Sequence, residues 1–97
     1  MGFLTRTADK RERAAALRYK TDEAHAPRVV AKGSGWVARR IIEEARTHGI
    51  PVREDPLLVE ALMGLDLYQE IPHELYQVIA EIYAFLYRLK SEASSSG

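Results

Sequence analysis

The residues best suited to chemistry in this 97-residue chain are Gly33-Ser34-Gly35-Trp36-Val37-Ala38, whose G-x-G-x-x-A spacing, between an expected strand and an expected helix, is that of a dinucleotide-binding turn. Glu54, at the end of the next expected strand, stands about where a ribose-binding carboxylate belongs. Two features oppose that chemistry. A dinucleotide fold needs more sheet than this length provides, and Trp36 puts an indole where the backbone must approach a pyrophosphate. The same glycines also suit a turn that only reverses the chain. A small nucleotide-binding regulator using residues 33–38 is therefore the alternative function.

Other reactive groups form no constellation. His25, His48 and His73 are too far apart for a helical ligand pair, so no metal or other cofactor is expected, and His48 instead suits the negative end of a helix. The neighbouring carboxylates Glu43-Glu44 and Glu54-Asp55 point to different sides of their elements, so neither pair shares a proton easily. The chain has no cysteine, and no serine stands in a nucleophile elbow. An enzyme is not expected.

Local pattern defines the elements that would position these residues. Residues 14–19 and 28–32 read as strands, the second restarted by Ala26-Pro27. From Trp36 the period becomes helical, with Ala38, Ile41, Ile42 and Ala45 on one face, and Gly49-Ile50-Pro51 ends that helix near His48. Residues 50–54 form a third strand, and a crossover of this length predicts a parallel, right-handed pair with the second. Asp55-Pro56 starts a helix with Leu57, Leu58, Ala61 and Leu62 on its buried face, stopped by Gly64. Pro72 opens the longest helix, ending near Lys90, with a stripe of Leu75, Val78, Ile79, Ile82, Phe85, Leu86 and Leu89 flanked by Tyr76, Tyr83 and Tyr87. That flank reads as the edge of a core helix or as a partner surface.

These elements predict one small α/β domain over residues 14–90, a mixed sheet of three or four strands with three main helices. Residues 1–13 are expected to be a flexible tail and residues 91–97 a disordered one. The composition, 46% apolar and 29% charged, is globular, and no apolar run reaches the roughly 20 residues of a membrane span, so no direct membrane insertion is expected. Net charge is zero, but residues 1–50 carry 11 basic against 6 acidic groups and residues 51–97 carry 3 against 8. The halves can neutralise each other or steer a charged partner. Arg6, Lys10, Arg11, Arg13, Arg18 and Lys20 could contact phosphates, but a pI near 6.8 opposes a nucleic-acid footprint, and none is expected.

Residues 14–90 resemble the cytoplasmic domain of the switch protein of type III secretion systems, the flagellar FlhB and injectisome YscU kind. The resemblance lies in Ala16-Leu17-Arg18-Tyr19, Ala26-Pro27-Arg28-Val29-Val30-Ala31-Lys32-Gly33, Ile50-Pro51, Glu54-Asp55-Pro56, Ala61-Leu62, Gln69-Glu70-Ile71-Pro72, Glu74-Leu75-Tyr76 and Ala80-Glu81. Family members break their backbone at an Asn-Pro-Thr-His motif. Here those positions read Asp9, Lys10, Arg11 and Glu12, so no self-cleavage is expected, and the chain resembles the free-standing, non-cleaving homologues. The resemblance implies an accessory of flagellar export, in the cytoplasm or peripheral at the export apparatus on the inner face of the membrane. Its implied partners are rod- and hook-type substrates and components of the export gate. The family's apolar depression for a short substrate signal would fall on Ala26, Pro27, Ala80 and Tyr83, with Tyr83 replacing a smaller aliphatic residue and making it shallower. The same four residues equally suit packing of the last helix onto the second strand.

Overall fold

A computed structural model describes residues 2–7, 11–18 and 27–95, with side chains as far as residue 89. Its elements are β1 (Gly2–Arg6), β2 (Arg13–Arg18), β3 (Arg28–Ser34), α1 (Trp36–Thr47), β4 (Val52–Glu54), α2 (Pro56–Met63), a 3-10 turn (His73–Leu75) and α3 (Tyr76–Ser95). The four strands form one mixed sheet in the order β3-β2-β1-β4. This is the expected small α/β domain with its three main helices.

The first strand lies where a flexible tail was expected. β1 pairs antiparallel with β2, from Gly2 opposite Arg18 to Arg6 opposite Ala14, and parallel with β4, from Leu4 beside Val52 to Arg6 beside Glu54. Phe3, Leu4 and Thr5 are fully buried. The strand escapes local pattern reading because its two large apolar residues are adjacent rather than alternate, and a strand buried on both faces needs no polar alternation. The expected parallel pair is corrected with it. β3 and β4 run in the same direction, but β2 and β1 lie between them.

Successive strand side chains point to opposite faces. Phe3, Ala15, Leu17 and Val29 therefore meet α2 and α3, in a cluster with Leu58, Leu62, Ile71, Ile79 and Ile82. On the other face Leu4 and Ala14 meet Ala38, Ile42 and Ala45 of α1. The result is three layers, helix, sheet and helices.

α1 and α2 each have an identifiable start or stop. Asp55 caps α2 by accepting from the Leu58 amide at 3.2 Å, with Pro56 as first helical residue. Gly49, at φ 69°, supplies the left-handed turn after α1. α2 buries Leu58, Val59 and Leu62, whereas Leu57 and Ala61, both expected inside, are exposed, Leu57 to 85%, because they lie outside the arc that meets the sheet. α3 runs past the expected end near residue 90, taking in residues 91–95 of the expected disordered tail. Residues 73–96 contain neither glycine nor proline, so nothing local stops it.

Between α2 and the 3-10 turn, residues 68–71 lie along the free edge of β3. The Tyr68 amide donates to the Val29 carbonyl at 2.6 Å, and the Ile71 amide to the Pro27 carbonyl at 3.1 Å. Arg28 holds this strap, donating to the Tyr68 carbonyl at 2.8 Å and to the Glu70 carboxylate at 2.9 Å. An edge that would otherwise present unpaired backbone groups is thereby covered.

Two stability predictions follow from this packing. Phe3→Ala lowers the unfolding free energy by about 3 to 5 kcal/mol in urea titration, the usual range for a buried phenylalanine; a loss under about 1 kcal/mol would mean that β1 is not part of the core. Tyr68 is exposed and left-handed, at φ 66°. That conformation costs a residue with a Cβ roughly 1 to 2 kcal/mol, against about 0.5 to 1 for glycine's chain entropy. Tyr68→Gly therefore stabilises the fold by up to about 1.5 kcal/mol, and a destabilised variant would contradict this.

Candidate functional site

α3 carries more apolar surface than the core uses. Ile79 and Ile82 are buried and Leu75, Tyr83 and Leu86 pack around them, while Val78, Phe85 and Leu89 face solvent on one flank. On the other flank stand Tyr76, Ala80, Tyr83 and Tyr87, at the i, i+4, i+7, i+11 spacing that places residues along one side of a helix. Ala80 is exposed and contributes only a methyl group, so the helix flank is lowest there, between the larger Tyr76 and the pair Tyr83 and Tyr87, a spot termed the Ala80 notch. The Tyr83 ring rests edge-on against Phe3, with centroids 5.4 Å apart and an interplanar angle of 79°. His73 stacks on Tyr76, with ring centroids 4.3 Å apart.

The expected docking residues divide accordingly. Pro27 is buried, and its carbonyl receives the Ile71 amide; Ile71 and Tyr83 border the same core cluster. Tyr83 is half-buried and Ala80 is open. Ala26 lies outside the described residues. Three of the four thus have distinct surroundings: Pro27 supports the strap, Tyr83 joins core to surface, and Ala80 is free to be covered.

The positions of the altered cleavage motif, expected in a flexible tail, fall in sequence between β1 and β2. Asp9 and Lys10 lie outside the described residues. Thr7, fully buried, anchors the base: its amide donates to the Arg13 carbonyl at 3.0 Å, its hydroxyl accepts from the Arg13 amide at 3.0 Å and donates to the Arg11 carbonyl at 3.2 Å. Arg11 is exposed. Glu12 turns toward α1, its carbonyl accepting from the Gly35 amide at 2.8 Å and its carboxylate 3.4 Å from the Arg39 guanidinium.

That contact also answers the glycine motif. Where a pyrophosphate would sit at the start of α1, the loop places the Glu12 carboxylate, and Trp36 is 80% exposed beside it. Glu54 ends β4, at the opposite edge of the sheet from β3, about 14 Å away by strand spacing. The glycines have packing reasons instead. A Cβ on Gly33 would overlap the Val37 side chain, and Gly35 turns the chain at φ 58°. The arrangement gives no support to nucleotide binding.

Several structural residues were not singled out from sequence. Lys32 of β3 donates to the Met63 carbonyl at 3.0 Å and to the Leu65 carbonyl, satisfying acceptors at the C-terminal end of α2. Arg13 pairs with Glu60 and Arg28 with Glu70, so basic groups of the first half meet acidic groups of the second. Both pairs are partly exposed and each adds little stability. Among the described residues no group of His, Asp or Glu side chains could hold a metal, and no helix is long and apolar enough to cross a membrane.

Known proteins match both sequence and fold. Residues 11–86 match the FlhB HrpN YscU SpaS Family. The chain is 46% identical over 77 residues to the uncharacterized protein YlqH of Bacillus subtilis (strain 168), covering 79% of this chain and 83% of that one. It is 42% identical over 76 residues to the flagellar biosynthetic protein FlhB of Salmonella typhimurium, covering 77% of this chain but only 20% of that protein. Among solved structures, the cytoplasmic domain of FlhB from Shewanella putrefaciens superimposes with a TM-score of 0.84 at 28% identity, over 98% of this chain and 76% of that one. The C-terminal domain of EscU follows at a TM-score of 0.74 and 29% identity, over 81% and 77%. With its family match reaching from β2 into α3, and a fold shared with the FlhB cytoplasmic domain, the chain belongs to the FlhB HrpN YscU SpaS family.

Proposed function

We propose that this domain is a non-catalytic docking module of flagellar type III protein export. It binds rod- and hook-type substrates or components of the export gate, in the cytoplasm or peripherally at the export apparatus, and stays uncut. The observation that carries this reading is the fold match to the FlhB cytoplasmic domain across nearly the whole chain. The notch at Ala80, bordered by Tyr76, Tyr83 and Tyr87, supports it, because an exposed helix flank rich in tyrosine around a small residue can receive a short apolar segment. Tyr83 is held by Phe3, which fixes one wall of the notch before any partner arrives. An uncut chain is favoured by the residue types at the altered motif. Asp9 offers a carboxylate where cyclisation needs a neutral amide, and Lys10 replaces the proline.

Amide NMR titration with the N-terminal segment of a hook-type export substrate is expected to give saturable shifts around Ala80 and Tyr83. Ala80→Asp should weaken that binding about tenfold or more, since desolvating an unpaired carboxylate exceeds the roughly 1.4 kcal/mol that a tenfold change represents. Its stability should stay within about 0.5 kcal/mol of the parent, as for other surface changes. Absence of shifts at millimolar peptide, or equal affinity of the variant, contradicts the reading. For the uncut chain, intact-mass measurement after long incubation at neutral pH should return one full-length species. Two fragments divided after Asp9 would overturn that part.

A further inference from the structure

The face of the sheet opposite the tyrosine notch carries an open apolar groove of about 560 Å3, beneath the C-terminal half of α1. Its origin is legible in the strands. Ala16 of β2 faces Ala31 of β3, so only methyl groups stand where larger side chains would fill the space under the helix. Beside this pair the register shifts: Ala16 opposes Ala31 but Leu17 opposes Val29, leaving Val30 as an extra residue. Such a bulge re-aims side chains, and here Val30 and Ala31, adjacent in sequence, both line the groove. Ile41 and Ile50 form its walls, the second still 38% exposed.

The rim is charged, and unevenly. Arg18 and Arg40 are both exposed at the rim, and neither has an ion-pair partner among the described residues. The rim carboxylate Glu44 is turned to His48, at 3.7 Å. Two guanidinium groups with no ion-pair partner among the described residues thus flank an apolar floor whose volume lies within the roughly 300 to 1,000 Å3 of ordinary binding pockets.

We infer that this groove is a second docking site, and that it takes an apolar peptide segment of a partner protein flanked by Asp or Glu. The floor accepts aliphatic side chains, and the guanidinium forks match carboxylates in bidentate geometry. The sheet separates the groove from the notch at Ala80, so the two sites can be filled together, and this inference does not depend on the function proposed for the notch.

Methyl NMR spectra of the full chain, titrated with a short synthetic peptide carrying a Leu-Ile-Leu centre and Glu at both ends, provide the test. Saturable shifts are expected at Ala16, Ala31, Ile41 and Ile50, and not at Ala80. The double variant Arg18→Glu, Arg40→Glu should weaken binding about tenfold, as expected when rim charges turn from attractive to repulsive, with an unchanged urea unfolding curve. A counterpart peptide with Lys at both ends should not saturate. Equal binding of the Lys-ended peptide, or silence at millimolar peptide, overturns the inference. So do contacts in the free protein from residues 19–26 to Ala31 and Ile41, which would mean the chain fills its own groove. Shifts that follow protein concentration without peptide would assign the groove to a second copy and overturn it equally.

Discussion

Phe3 and Leu4 are neighbours in the chain and point to opposite faces of the sheet, and both helix layers are rooted on that pair. Phe3 carries Tyr83 of α3 and borders the cluster built on α2, while Leu4 meets Ala38, Ile42 and Ala45 of α1. The backbone imposes the same dependence. β4 is three residues long and pairs with β1, the Leu4 amide also donating to the Pro51 carbonyl at 2.9 Å. Without β1, two strands lose ladder partners and leave buried amide and carbonyl groups unpaired, which proteins rarely tolerate.

β3 then organises what β1 holds together. Along it, the Pro27 carbonyl and Arg28 secure the strap, Val29 enters the core, and Val30 and Ala31 open the groove under α1. Lys32 closes the end of α2, and Gly33 lets the first turn of α1 approach. One strand therefore positions α1 and α2 and the strap that leads to α3, relative to the two surfaces proposed for partners. The proposed docking on α3 requires that α3 is held, and Tyr83 on Phe3 links that helix to the centre of the sheet.

Much of this was legible from local pattern. α1 and α2 follow from 3.6-residue periodicity and from caps such as Asp55-Pro56, and β3 from its apolar run after Pro27. What escaped was set by distant partners. β1 has no alternation to announce it, and the separation of β3 from β4 is decided by a strand that local reading leaves out. Leu57 and Ala61 lie outside and Val59 lies inside because a helix's buried arc depends on where the sheet lies, not on hydrophobicity alone. The roles of Arg28 and Lys32 depend on carbonyls some 30 to 40 residues away in sequence. The notch at Ala80 could be singled out only through resemblance, since an exposed alanine on a helix carries no local signal. The G-x-G spacing misleads for a related reason: Gly33 and Gly35 answer to packing and turn geometry, which a motif shares with phosphate binding.

Native-state hydrogen exchange of the backbone amides of residues 3–6 tests the dependence on β1 most directly. A strand inside the sheet exchanges only with global unfolding, so these amides should match the protection of the slowest amides of β2 and β3. Exchange at the rate of a free tail, with the rest of the sheet still protected, would contradict the account, because the sheet would then stand without the strand on which both helix layers are said to rest.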